Sequence, residues 1–282
     1  MSDLQQLISH AESLLQRLEG LLPSAPAEPD WSAHAYRWRR QQRCGQLQAV
    51  AQPHRITLAD LRDVDEQKAL LVRNTRQFLQ SLPANNVLLT GARGTGKSSL
   101  VKALLTEFAA EGLRLVEVDK SDLTDLPDIT ELLRNRPERF VIFCDDLSFD
   151  ADEPGYKALK AALDGSIASA ADNMLVYATS NRRHLMPEFM AENLESDEIR
   201  PGETSEEKIS LSERFGLWLP FYPFDQEAYL DIVRHWLRGF GITRLTPQAR
   251  RAALQFAIQR GSRSGRVAWQ FARDWAGQQA LK

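Results

Sequence analysis

Thiols are nearly absent: Cys44 and Cys144 are the only two cysteines in 282 residues, and Cys144 sits inside an apolar, strand-like run. That excludes a disulfide framework or a zinc-ligand spacing and suits a reducing cytosol. Long apolar runs are missing too, so no stretch approaches bilayer-spanning length. The opening Met1-Ser2-Asp3-Leu4-Gln5-Gln6 lacks the basic start and apolar stretch of an export signal. The expected location is therefore the cytoplasm, with no membrane partner. Nor does one charge dominate: 35 Lys and Arg stand against 38 Asp and Glu, a formal net charge of −3. A generally basic coat for nucleic acid is excluded, though not a local basic patch. No internal repeat is found. The length allows one large domain or two smaller ones.

What is present is one stretch that organises the rest. Val87, Leu88 and Leu89 form a short apolar run, as a strand buried on both faces would. Gly91-Ala92-Arg93-Gly94-Thr95-Gly96-Lys97-Ser98-Ser99 follows, and then a helix-forming run to Phe108. This is Gly-x-x-x-x-Gly-Lys-Ser in a strand–loop–helix setting, the P-loop pattern. Glycines without side chains let backbone N–H groups approach phosphate oxygens, and the next helix adds its positive N-terminal end. Lys97 is placed to reach the β- and γ-phosphates, and the Ser98 hydroxyl to hold Mg²⁺.

Before this stretch the chain reads as a helical N-terminal segment, residues 1–50. Leu4, Leu7, Ala11, Leu14, Leu18 and Leu21 make one amphipathic face behind a Ser2/Gln5 capping box, fitting a coiled-coil seam or packing on the body. A Pro-rich linker spans Pro23–Pro29. In Trp31–Gln48, arginines 37, 39, 40 and 43 interleave with Tyr36 and Trp38, which could grip a phosphate backbone. The i, i+4, i+7 spacing of Trp31, Ala35 and Trp38 fits equally a helix burying two tryptophans. Leu58–Leu82 is a second helical pattern.

After the P-loop helix, strands are expected at Leu113–Val118, Arg139–Cys144, Asn173–Thr179 and Leu217–Phe221, alternating with helices at Ile129–Arg134 and Tyr156–Leu163, with Asp119–Asp128 as a loop. That alternation predicts a parallel sheet covered on both faces, an α/β domain over 51–223. From 224 to 282 only helices follow: Asp225–Phe240, a Thr246-Pro247 start running to Gln259, and Ser264–Gln278. Residues 188–207 carry eight carboxylates and read as a solvated loop or an acidic docking segment.

Phe140–Asp146 is an apolar strand ending in two carboxylates, facing the crevice where such folds bind ligands. Asp145 is placed to order a Mg²⁺ shell and Asp146 to orient or deprotonate the attacking water. With the Ser180-Asn181 strand end, Ser212-Glu-Arg-Phe-Gly216 and the all-helical tail, these motifs resemble an AAA+ ATPase. Closer still, Val118–Leu123, Phe143–Phe149, Ala178–Leu185 and Glu207–Trp218 resemble a bacterial branch catalogued as a domain of unknown function. The resemblance covers roughly residues 50–275 and implies a five-stranded sheet in the order 5-1-4-3-2, a helical lid, and an active site between neighbouring subunits of a ring or open ring. By the same resemblance Asn181 is the sensor 1 carboxamide and Arg214 the arginine finger reaching a neighbour's γ-phosphate. Arg266 resembles the sensor 2 arginine, with Arg263 competing for the role. Leu61–Gln67 resembles the wall of the adenine site, without the glycine common there.

Two departures shape the expected function. Most of the family carries Glu where this chain has Asp146, one methylene shorter, which implies slower turnover. Asp119–Pro127 has no aromatic residue and no glycine, so the pore motif of protein-threading machines is missing. The expected activity is Mg²⁺-dependent hydrolysis of ATP in a homo-oligomer that remodels or loads an unidentified protein or nucleic-acid client. The alternative is a nucleotide-controlled binding switch with little turnover. A small-molecule kinase is disfavoured by Asn181, Arg214 and the lid.

Overall fold

The computed structural model describes residues 28–41, 44–149, 153–164, 172–181 and 211–281, with 5, 7–11 and 13 near the start. Its strands are β1 (Ala35–Gln41), β2 (Cys44–Ala49), β3 (Val87–Gly91), β4 (Leu113–Glu117), β5 (Arg139–Cys144), β6 (Met174–Ser180) and β7 (Leu217–Phe221). They form a single sheet in the order β2-β1-β4-β5-β6-β3-β7, in which only the β1–β2 pair is antiparallel. The expectation of five strands is thus corrected to seven, and the full order differs. The expected succession of five survives as the stretch β7-β3-β6-β5-β4, with β1 and β2 added beyond β4.

The two extra strands overturn the helix expected over Trp31–Gln48. Residues alternate across a strand with a period of two, and Tyr36, Trp38 and Leu47 drop into the core on one face of the sheet. Trp31, the supposed helical partner of Trp38, lies outside the strand, half-buried, with the Arg136 guanidinium 4.1 Å above its ring. The arginines are engaged as well. Arg37 reaches Glu117 at 2.6 Å, Arg39 lies 3.6 Å from Asp119, and Arg40 pairs with the buried Asp125, which also accepts the Trp38 Nε1 hydrogen at 3.0 Å. Aromatic residues favour strands, so the hairpin's composition fits; the tryptophan spacing suggested the wrong period.

Four helices cover the two faces of the sheet. On one face pack α1 (Asp65–Leu79) and α2 (Lys97–Phe108), through Leu71, Phe78, Leu100, Leu104 and Phe108. On the other lie α3 (Leu126–Leu133) and α4 (Pro154–Asp164), through Ile129, Leu133, Tyr156 and Leu159. The helix expected over Leu58–Leu82 is split: a 3₁₀ turn at Leu58–Asp60 precedes α1, and Asp63, at φ 59°, breaks the run between them. The expected loop Asp119–Asp128 is a 3₁₀ turn, Lys120–Asp125, leading into α3.

The tail folds as three helices, α5 (Gln226–Gly239), α6 (Pro247–Gln259) and α7 (Gly265–Ala280), around their own core of Tyr229, Val233, Ala253, Ala268 and Phe271. Asp225, Thr246 and Ser264 each accept a first-turn backbone N–H, which starts the helices where the sequence places them. Among the described residues no helix is long and apolar enough to cross a membrane. The first-helix positions 5, 7–11 and 13 are helical. The remainder of that expected helix, the linker up to 27, Arg43 and the acidic segment 188–207 lie outside the described residues.

Candidate active site

Strand order decides which side chains can meet. β6 lies between β5 and β3, all parallel, so residues just past their carboxyl ends share one rim: Asp145 and Asp146, Asn181, and the P-loop. The loop itself turns through Gly91, Gly94 and Gly96, each at positive φ (125°, 77° and 102°). Gly96 is the N-cap of α2 and has no side chain to cap it, leaving the first-turn N–H groups without a capping side-chain oxygen.

Lys97 is 5% exposed and donates three hydrogen bonds, to Gly91 O at 2.7 Å, Ala92 O at 2.8 Å and Asn181 Oδ1 at 3.0 Å. Burial pushes its pKa below the usual lysine value, while the charges of Asp146 and Asp145 pull the other way and Arg93 adds to the depression. Ser98 Oγ donates to Asp145 Oδ1 at 2.5 Å, and Thr179 Oγ1 donates to the same oxygen at 2.6 Å. Asp146 adopts a left-handed backbone, φ 54°, rare for a residue with a side chain. Its N–H donates to Thr179 Oγ1 at 2.9 Å, its Oδ1 accepts from Asn181 Nδ2, and Arg93 lies 3.6 Å from Oδ2. Thr179 thus ties both carboxylates to β6. It was visible in sequence only as a strand-end residue.

The rim opens into a cleft of about 620 Å³ that Arg93–Ser99, Asp145, Asp146, Thr179 and Asn181 line at one end. Ile56, Leu61, Val64, Phe224, Ile232, Trp236 and Trp269 supply the apolar part of the remaining wall, with His54, Asp60, Arg62 and Arg266 among them. Of the expected adenine wall, Leu61, Arg62 and Val64 line the cleft, whereas the Gln67 amide bonds Pro220 O instead. Arg266 lines the cleft and Arg263 does not. Arg214 is also absent from it; its Nε donates to Asp164 Oδ1 of the same chain. Cys144, buried directly before the carboxylate pair, has its thiol pushed up to about 12 by burial and stays a neutral core residue.

The donor set fits a Mg²⁺–nucleotide. A Mg²⁺ ion keeps most of its shell for water and phosphate and takes only one or two protein oxygens. Ser98 Oγ and Asp145 Oδ1 provide those, next to a buried ammonium and the N-terminal end of α2.

One contact escaped sequence reasoning altogether: Gly265 N, at the start of α7, donates to Gly94 O at 2.8 Å. A Cβ on Gly94 would lie 2.8 Å from Ser264 Oγ and 2.9 Å from Ser264 Cβ. Gly94→Ala is therefore expected to push the tail away from the loop and to cost about 1–3 kcal/mol through the backbone alone. Thermal unfolding should show a lowered midpoint, and nucleotide titration a weaker affinity.

A family model described as a protein of unknown function (DUF815) matches residues 31–279. The chain belongs to this family. The match begins at Trp31 and so takes in the β1–β2 hairpin together with the sheet, the P-loop and the three-helix tail. It also agrees with the branch that the motifs around Val118–Leu123 and Phe143–Phe149 resemble. Among solved structures, the RuvB Holliday junction branch migration motor of Thermotoga maritima is similar over 77% of this chain and 71% of its own, at 15% identity and a TM-score of 0.40. A variant of Thermotoga maritima RuvB is similar over 75% and 68%, at 14% identity and a TM-score of 0.39. No curated protein matches the sequence.

Proposed function

We propose that this chain is an AAA+ ATPase that hydrolyses ATP with Mg²⁺ and works as a homo-oligomer on a macromolecular client. The observation that carries the reading is the convergence of Lys97, Ser98, Asp145, Asp146 and Asn181, from three adjacent strand ends, on one cleft. Mg²⁺, when held by Ser98 and Asp145, would neutralise charge developing on the phosphates. Lys97 would exchange its loop carbonyls for phosphate oxygens, and the α2 N-terminus would face the same negative charge. Asp145 would hold the Ser98 hydroxyl and the metal shell in register. Asp146 would orient the attacking water and take its proton, with Asn181 fixing that carboxylate by the bond it already donates. Arg266, at the cleft, would sense bound nucleotide from the tail, which the Gly265–Gly94 bond couples to the loop. Arg214 would act on a neighbouring subunit's nucleotide.

A second reading, a nucleotide-controlled switch with little turnover, is favoured by the surroundings of Asp146. Its short side chain is engaged by Asn181 and lies near Arg93. Asp146→Asn separates the two readings. In an ATPase the variant binds ATP normally and hydrolyses it roughly 10²–10⁴-fold more slowly. In a switch, wild type and variant share the same slow turnover.

A further inference from the structure

From Ile232 to Arg273 the chain has nine arginines, no lysine and not one Asp or Glu, although the whole protein is net −3. This run is most of the three-helix tail, whose carboxylates Glu227, Asp231 and Asp274 flank it, the first two pairing with Arg250 and Arg234. Arg238, Arg244, Arg251, Arg260, Arg263 and Arg273 in it are exposed and have no ion-pair partner among the described residues. The hairpin, where arginines and aromatics first suggested an anion site, is the opposite case. There Arg37, Arg39 and Arg40 face Glu117, Asp119 and Asp125, and their charge is already met. Arg55, Arg73, Arg76 and Lys157 are also exposed without an ion-pair partner among the described residues, but only the tail gathers six such cations in a run free of carboxylates.

We infer that the three-helix tail binds the phosphate backbone of a nucleic acid. Uncompensated arginines keep their full charge for a partner, and the guanidinium fork fits phosphate oxygens two at a time. Their placement favours a polymer. They occur at the end of α5, in the α5–α6 turn, on α6, in the α6–α7 turn and on α7, over helices roughly 20–24 Å long by their 13 and 16 residues. An extended polyanion can pass along or around such a bundle, whereas a flat anionic membrane meets only one side of it. Two of the guanidiniums lie over ring faces, Arg260 over Phe256 at 5.2 Å and Arg273 over Trp269 at 5.3 Å, which holds long side chains ready without cancelling their charge. Contacts from arginine to phosphate carry no base information, so the expected binding is sequence-independent. This inference stands on charge and exposure and does not depend on ATP hydrolysis.

The test is fluorescence anisotropy of the full-length protein with a labelled DNA duplex and its single strand, over a series of salt concentrations. Wild type should bind with a Kd of roughly 10⁻⁴–10⁻⁶ M near physiological salt and weaken steeply as salt rises. A variant with Arg244, Arg251 and Arg260 all changed to Gln should lose about one unit of the log K against log salt slope per arginine on the duplex. None of the three lines the nucleotide cleft, so ATP binding measured on the same sample should be unchanged. Arg251→Gln alone, expected to lose about one unit, keeps the test if the triple variant is unstable. Arg39→Gln, beside Asp119, should leave the slope as it is. No binding at low salt, or an unchanged slope in the arginine variants, overturns the inference. Equal displacement by polyglutamate, or preference for anionic vesicles, also overturns it.

Discussion

Lys97→Ala should bind ATP roughly 10²–10⁴-fold more weakly than wild type, the largest binding effect expected of any single change in this chain. The estimate follows from two charge-assisted contacts to phosphate at about 1.5–3 kcal/mol each, with each 1.4 kcal/mol worth about tenfold. The structure sharpens what the variant loses. The ammonium now holds the P-loop closed on itself through Gly91 O and Ala92 O and anchors Asn181, so alanine removes the phosphate ligand and loosens its frame together. Calorimetric titration with Mg·ATP reads the affinity, and a thermal melt separates lost binding from lost fold. Affinity within threefold of wild type would show that phosphate does not sit on this lysine.

The centre of the site was legible because P-loop chemistry demands particular residue types at fixed spacing in a recognisable strand–loop–helix setting. Asp145 and Asp146 followed from an apolar run ending in carboxylates, and Asn181 from the resemblance to AAA+ ATPases. What was hidden depended on distance in space. Nothing local marks Thr179 as the link between both carboxylates, nor Gly265 as the donor that fastens the tail to the P-loop. The hairpin was misread because a helical spacing of three residues, Trp31, Ala35 and Trp38, coincided with a strand whose real signal was the two-residue alternation of Tyr36 and Trp38. The sheet's full width was hidden for the same reason, since β1 and β2 complete it beyond β4.

Arg214→Ala should bind ATP nearly as wild type does and hydrolyse it roughly 10³–10⁵-fold more slowly, the range known for arginine fingers. Within one chain Arg214 pairs with Asp164 and does not line the cleft that holds Lys97 and Asp145. A purely structural pair and a finger that serves a neighbour therefore make different demands on Asp164. If Arg214 only bridges to α4, Asp164→Asn should reproduce the Arg214→Ala phenotype. If it is a finger, Asp164→Asn keeps most of the activity, because the guanidinium remains. Mixing Arg214→Ala with Lys97→Ala should then restore part of the rate, since an intact P-loop from one subunit meets an intact arginine from the other. Specific activity of wild type should also rise with protein concentration. Flat specific activity into the monomeric range, with no complementation, would return Arg214 to a structural role.

The most direct test of the account is the release of inorganic phosphate from ATP by purified full-length protein, measured beside Lys97→Ala prepared identically. The expected result is steady phosphate release by wild type that needs Mg²⁺, stops with a chelator and is absent from the variant. Equal release by both proteins would assign the activity to something other than this site. Tight ATP binding by wild type with no release at any protein concentration would contradict hydrolysis itself.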